Sequence, residues 1–363
     1  MTRKQWAVLT LTLLLGALAL IIGAVMIIDP FEVYHQATAF IPPIANGTQI
    51  YSNAGIAKSY AYDSVVIGSS MTENFRPSQL DGLLGRQFVK LPVNAGSPFN
   101  HRQMMEMAFG THEVRRVVYG VDVELFTYFY TQPKCEMPDY LYDDNLFNDV
   151  RYWFNESVLT RYIPQCLSTL GQRDENHRDT MYAWGDLYEY GPEAMLAGVN
   201  LASGRVEQRD ARNDTPELGQ ATRLNVEHNI LPFIREHPET EFIFFFPPYS
   251  LARWYSFYTD GTLAYHLNQK EAIAGALLAF DNVRVFDFQA RTDWITKPDN
   301  YIDTGHYGPW INDAIVERVA AGENRITDWT QARENDTLLL RYTEYIEACG
   351  DWPEDFSDLD AGK

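Results

Sequence analysis

Ser70 and, 233 positions later, Asp303 with His306 are the residues whose types could do chemistry as a set. Ser70 closes the run Val65-Val-Ile-Gly-Ser-Ser70, and Asp303-Thr-Gly-His306 lies inside the stretch from Asn300 to Trp310. A serine hydroxyl is a weak nucleophile until a positioned base takes its proton, and a carboxylate keeps that base in the required tautomer. In that arrangement Ser70 attacks an acyl carbon, His306 is the base, and Asp303 orients the imidazole. The plain structural alternative is a strand-to-helix turn at Gly68-Ser69-Ser70 and a helix cap at Asp303. Ser69 is the neighbouring candidate nucleophile.

Such a set needs elements that deliver its members to one edge. Five short apolar runs read as strands: Ser64 to Ile67, Phe88 to Val93, Arg116 to Val121, Glu241 to Phe246 and Val283 to Phe288. Helical patterns fall between or after them at Pro77 to Leu84, His101 to Phe109, Leu224 to Glu236, Gln269 to Phe280 and Tyr307 to Ala321. Buried strands alternating with amphipathic helices imply an α/β domain, a three-layer α/β/α with a mainly parallel five-stranded sheet. Ligand and catalytic groups of such sheets gather at the carboxyl ends of the strands, where Ser70 follows the first run. Pro309 suits the first turn of a closing helix, which puts His306 on the loop before it.

Gly68-Ser69-Ser70-Met71 early and Asp303-x-x-His306 late together resemble the SGNH or GDSL hydrolase superfamily, over roughly residues 60 to 320. With the amino-terminal segment described below, the chain is similar to membrane-anchored envelope members, of the D-alanyl-lipoteichoic acid biosynthesis and alginate O-acetylation protein types. The resemblance implies an SGNH/flavodoxin-like sheet, with Ser70 rather than Ser69 as nucleophile. It also implies an oxyanion hole formed by the Ser70 amide and by Gly96 in Asn94-Ala-Gly-Ser97. The family's third block would place asparagine at position 122, where this chain has Asp122. An ionised carboxylate there opposes an oxyanion, whereas a protonated one donates to it. Asp122 is therefore read as a tuned acid, as a group binding a substrate hydroxyl or amine, or as a structural residue. Asn100 could supply the missing amide, and His101 stands in the same loop as a second substrate-binding candidate or a partly exposed loop histidine.

Trp6 to Ile28 is an uncharged, mostly apolar run of 23 residues, enough at about 1.5 Å per residue to cross about 30 Å of hydrocarbon. Arg3 and Lys4 precede it and Asp29 follows, which orients residues 1–5 as a cytoplasmic stub and the rest outside. The run exceeds the usual signal-peptide core, so an uncleaved single-pass anchor in a bacterial-type cell membrane is expected; a cleaved signal peptide is the competing reading. Residues 29–59, broken by Pro30, Pro42 and Pro43, read as an extended stalk. The domain would span 60–330, with an aromatic-rich insertion from about 124 to 222 that lids the cleft or adds scaffold, and 331–363 would be an extension ending in a solvated, disposable acidic tail.

The formal net charge of −20, from 49 acids against 29 bases, argues against nucleic acid as a partner. No Cys-x-x-Cys or His-Glu-x-x-His pattern occurs, so a zinc site has little support; no bound metal or organic cofactor is implied. Three cysteines leave open a Cys135–Cys166 disulfide or three free thiols. By resemblance, the chain would be an ester hydrolase or O-acyltransferase acting on an acylated envelope glycan or teichoic-acid-like polymer, with a membrane-bound acyl donor protein as a possible partner. A catalytically inactive binding or assembly protein of the same system is the alternative.

Overall fold

The computed structural model describes residues 1–199, 201, 216–356 and 359. Its named helices, in chain order, are α1 (Arg3–Ile28), α2 (Gln49–Ser59), α3 (Pro77–Leu84), α4 (Pro98–Thr111), α5 (Val150–Trp153), α6 (Ile163–Ser168), α7 (Pro216–Asn225), α8 (Leu231–Glu236), α9 (Leu251–Thr259), α10 (Leu263–Leu277), α11 (Pro309–Ala321) and α12 (Trp329–Cys349). The strands are β1 (Ser64–Gly68), β2 (Phe88–Pro92), β3 (Arg116–Gly120), β4 (Glu241–Phe246), β5 (Val283–Asp287) and β6 (Arg325–Ile326). Two compact units form: Met1–Ala61 with Met137–His177, and Tyr62–Glu136 with Arg178 onward. The expected insertion thus contributes to both units, while its residues 200 and 202–215 lie outside the described ones.

In the larger unit the sheet runs in the order β2-β1-β3-β4-β5-β6. The first five strands are parallel, with Val66 opposite both Lys90 and Val118. β6 is a correction to the five-strand expectation: a sixth strand, antiparallel, sets Ile326 against Val285. Two residues are too few to leave a periodic signal. Val65, Val66 and Ile67 are fully buried, as are Phe244 to Phe246, and full burial of such side chains contributes about 1.5–3 kcal/mol each. The strand order reverses between β1 and β3, so the carboxyl ends of these two neighbours flank the point where open parallel sheets leave a crevice.

α12 packs on α9 and α10. Lys270 on α10, fully buried, bridges Asp287 at the end of β5 (2.6 Å) and Asp336 on α12 (2.8 Å). Burial opposes its charge, but the two carboxylates outweigh that and raise its pKa. The acidic tail, expected to be solvated, is in part packed. Phe356 is buried and stacks on Tyr342 of α12 at 5.6 Å, with Trp352 edge-on to it. Acids interleaved with the two aromatics Trp352 and Phe356 hid that contact.

In the smaller unit α1 is long and apolar enough to span a membrane. The segment after it is no extended stalk. Asp29 caps α1 in a left-handed conformation, and its buried carboxylate accepts from the amides of Val33, Tyr34 and His35 and from the Tyr152 hydroxyl. Glu32 accepts from Tyr60 (2.5 Å) and from the Ala37 amide. At Gly55 a Cβ would lie 1.8 Å from the Glu32 carbonyl oxygen, so α2 meets this turn only through a glycine. The prolines end helix as expected, but local carboxylates fold the chain back. Cys135, Cys166 and Cys349 are free thiols.

Candidate functional site

Ser70 opens a 3-10 turn, Ser70–Thr72, directly after β1 and Ser69. The approach is tight because Thr72 fills the space beside the strand ends. A Cβ on Gly68 or Gly120 would come within 2.5 or 2.7 Å of the Thr72 methyl, and the Thr72 hydroxyl donates to Ser69 O at 2.8 Å. At the first position of the turn the Ser70 amide has no acceptor within its own helix. The turn is held from α11, where Asn312 Nδ2 donates to Met71 O (3.0 Å), and from Tyr307, whose hydroxyl donates to the same oxygen (3.2 Å).

His306 and Asp303 sit on a loop pinched by a bridge between Tyr301 and Tyr307. Inside it, Ile302 N donates to His306 O at 3.1 Å. Asp303 Oδ1 accepts from the amides of Gly305 and His306, both at 2.7 Å. Its Oδ2 lies 2.7 Å from His306 Nδ1, and His306 Nε2 lies 2.8 Å from Ser70 Oγ. An ionised carboxylate only accepts, so Nδ1 carries the proton and Nε2 faces the serine as the acceptor. The structure brings the three sequence-selected residues into one hydrogen-bonded line.

Burial opposes charge on His306, but the Asp303 hydrogen bond and charge, with the more distant charges of Asp122 and Glu73, outweigh it and raise the imidazole above its ordinary value. For Asp303 burial also works against the charge, and the His306 contacts outweigh it, so the carboxyl lies below its usual range. The side chain of His306 is 34% exposed and that of Asp303 is 50% exposed, so water screens both effects.

Asp122 follows β3 and lies beside the serine turn. It accepts from Ser69 Oγ at 3.2 Å and from the hydroxyl of buried Tyr249. Ser69 is thereby turned to Asp122, whereas Ser70 faces the imidazole. The other sequence candidates are engaged with other partners. The Gly96 amide is committed to Val93 O at 2.8 Å, and a Cβ at Gly96 would meet Val93 Cβ at 2.7 Å, so this glycine serves a close turn. Asn100 is buried at the start of α4. Its oxygen accepts from the amides of Ser97, Lys134 and Cys135, and its nitrogen donates to Cys135 O at 2.7 Å. It caps a helix and pins a loop, with no amide left over for substrate. His101 is neither a loop residue nor partly exposed. It is buried on α4 with Nδ1 2.6 Å from the Tyr119 hydroxyl, and burial lowers its pKa to about 3.

Trp184 is the site neighbour that sequence reading left in an undifferentiated aromatic run. Its indole N–H donates to Ser70 O at 3.4 Å, and its ring meets the His306 ring edge-on with centroids 5.5 Å apart. Asn74 Oδ1 fixes it by accepting from the amides of Trp184 (2.9 Å) and Gly185 (3.1 Å). A Cβ on Gly185 would overlap Pro309 of α11 at 2.0 Å. Among the described residues no cluster of three or more His, Cys, Asp or Glu side chains could hold a metal ion.

No family model matches the chain, and no curated protein matches it. A solved structure provisionally described as a platelet activating factor from Streptococcus pneumonia aligns with 12% identity and a TM-score of 0.39, covering 76% of this chain and 91% of that one. A likeness this slight carries no argument about activity.

Proposed function

We propose that this chain is an SGNH-type serine ester hydrolase or O-acyltransferase, held to a membrane by α1. The observation that carries the reading is the hydrogen-bonded line Ser70 Oγ, His306, Asp303 at 2.8 and 2.7 Å. The strand order of the first five strands, 2-1-3-4-5, is that of flavodoxin-like sheets and agrees with the resemblance. His306 takes the Ser70 proton as the hydroxyl attacks an ester carbonyl, forming a tetrahedral oxyanion. The imidazolium returns the proton to the departing alkoxide and leaves an acyl group on Ser70. Water or an acceptor hydroxyl, deprotonated by His306, then releases that group. With α1 as an anchor in a bacterial-type envelope, amino terminus inside, the natural ester would be an acylated glycan or teichoic-acid-like polymer, reached alone or with a membrane-bound acyl donor protein.

A second reading rests on the oxyanion side. The Gly96 amide and the Asn100 side chain are occupied, and Asp122 brings a carboxylate to the serine turn, which leaves the Ser70 amide and few other donors. Since losing one oxyanion donor costs about 10²–10³ in kcat, a noncatalytic binding or assembly protein of an acylation system would also have this site.

Fluorophosphonate labelling of the full chain in detergent separates the two. An adduct located on Ser70 by peptide mass spectrometry, absent in Ser70→Ala and in His306→Ala, is expected. A folded chain that takes no adduct would remove the free-standing esterase and leave a partner-dependent transferase or the binding protein, which complementation with Ser70→Ala then separates.

A further inference from the structure

We infer that the smaller unit carries a second membrane contact: an apolar collar around the end of α1 that lies in the lipid interface. This rests on the reading that α1 sits in a bilayer, and concerns how the folded chain meets it.

Between Ile21 and Ile28 the side chains of α1 are mostly part-covered by protein, and Val25 is fully buried. The helices packed against α1 are α5 and α6. These same two helices and their flanks carry the exposed apolar residues. In this unit every large apolar side chain left exposed on the carboxyl-terminal side of α1 lies between Leu146 and Leu170: Leu146, Phe147, Val150, Phe154, Leu167 and Leu170. Phe147 is 90% exposed and Leu170 63%. The segment 29–61, which includes α2, contributes none.

The helix lengths give the depth. The 26 residues of α1 extend about 39 Å, about 9 Å more than a hydrocarbon core of about 30 Å. The part-covered stretch from Ile21 to Ile28 rises about 10 Å. Even with the whole excess placed on this side, the protein packed around α1 reaches the hydrocarbon boundary. A surface there gains from large apolar side chains, which water would penalise. The occupant is therefore the lipid interface, continuous with the span itself, and not a second protein.

The test uses the full chain in phosphatidylcholine nanodiscs, with p-benzoylphenylalanine introduced singly at Leu13 in α1, at Phe147, at Leu170, or at exposed Ala45 in the same unit. Lipid adducts are counted by mass spectrometry after irradiation. The expected result is adducts at Phe147 and Leu170 in yield comparable to Leu13, and loss of adduct at Ala45. Adducts at Leu13 with none at Phe147 and Leu170 would overturn the collar and leave the span intact. Adducts at Ala45 as abundant as at Phe147 would overturn it as unspecific collision. No adduct at any position would remove the span and the collar with it.

Discussion

At the residue scale, if Ser70 is the nucleophile we propose, the charge state of His306 decides when it reacts. The imidazole must be neutral to accept the Ser70 proton, and its pKa is raised by the Asp303 hydrogen bond despite burial. Labelling should therefore be slow in acid and rise as pH passes through a value above the ordinary 6.5. Asp303→Asn should move that limb to lower pH and cut the plateau by about 10⁴-fold, as loss of a triad carboxylate does; a limb that stays put would detach Asp303 from the mechanism. The sign for stability is opposite. A raised folded pKa makes charged His306 a stabilising group below its unfolded pKa, and that contribution fades as pH rises through the folded one. Asp122 carries a separate prediction. Replacing it by Asn removes a negative charge near the imidazole and offers an amide donor, so turnover of a small activated ester should rise by about tenfold or more. Unchanged or lower turnover in Asp122→Asn would mean that Asp122 acts through Ser69 and Tyr249 and not against an oxyanion.

At the scale of elements, the strands were legible because each is a short run of buried β-branched or aromatic residues, and all five expected runs form strands. The Ser70, Asp303 and His306 positions were legible because strand ends and a proline-started helix fix where loops fall. What could not be read was where hydrogen bonds go. Gly96 and Asn100 have suitable chemistry, but their amides are satisfied within a few residues or by the 134–135 backbone. Trp184 was invisible for another reason: its contact with His306 depends on Asn74 and on the absence of a side chain at Gly185, neither of which leaves a pattern. Gly185→Ala should force a Cβ into Pro309 and lower stability by about 1–3 kcal/mol, with slower labelling of Ser70 because α11 starts three residues after His306. A variant with the wild-type urea midpoint and labelling rate would show that the contact relaxes freely.

For the molecule as a whole, the carboxyl-terminal segment and the amino-terminal turn both departed from what composition suggested, and for the same cause. The tail was expected to be solvated and the segment after α1 extended, yet a few buried groups anchor both. Truncation after Cys349 removes Phe356 from the face of Tyr342 and should cost about 2 kcal/mol, read as a lower urea midpoint for the full chain in detergent; an unchanged midpoint would return the tail to the status of a solvated appendage. At the other end, Asp29 ties the last turn of α1 to the chain that follows through four hydrogen bonds. In a bilayer this joint acts as a weld where a tether would have been a swivel. A thinner membrane tilts a helix that is too long for it, and a welded helix hands that tilt on as torque to the folded unit at its end. Bilayer thickness would then set the attitude at which this unit meets the membrane surface.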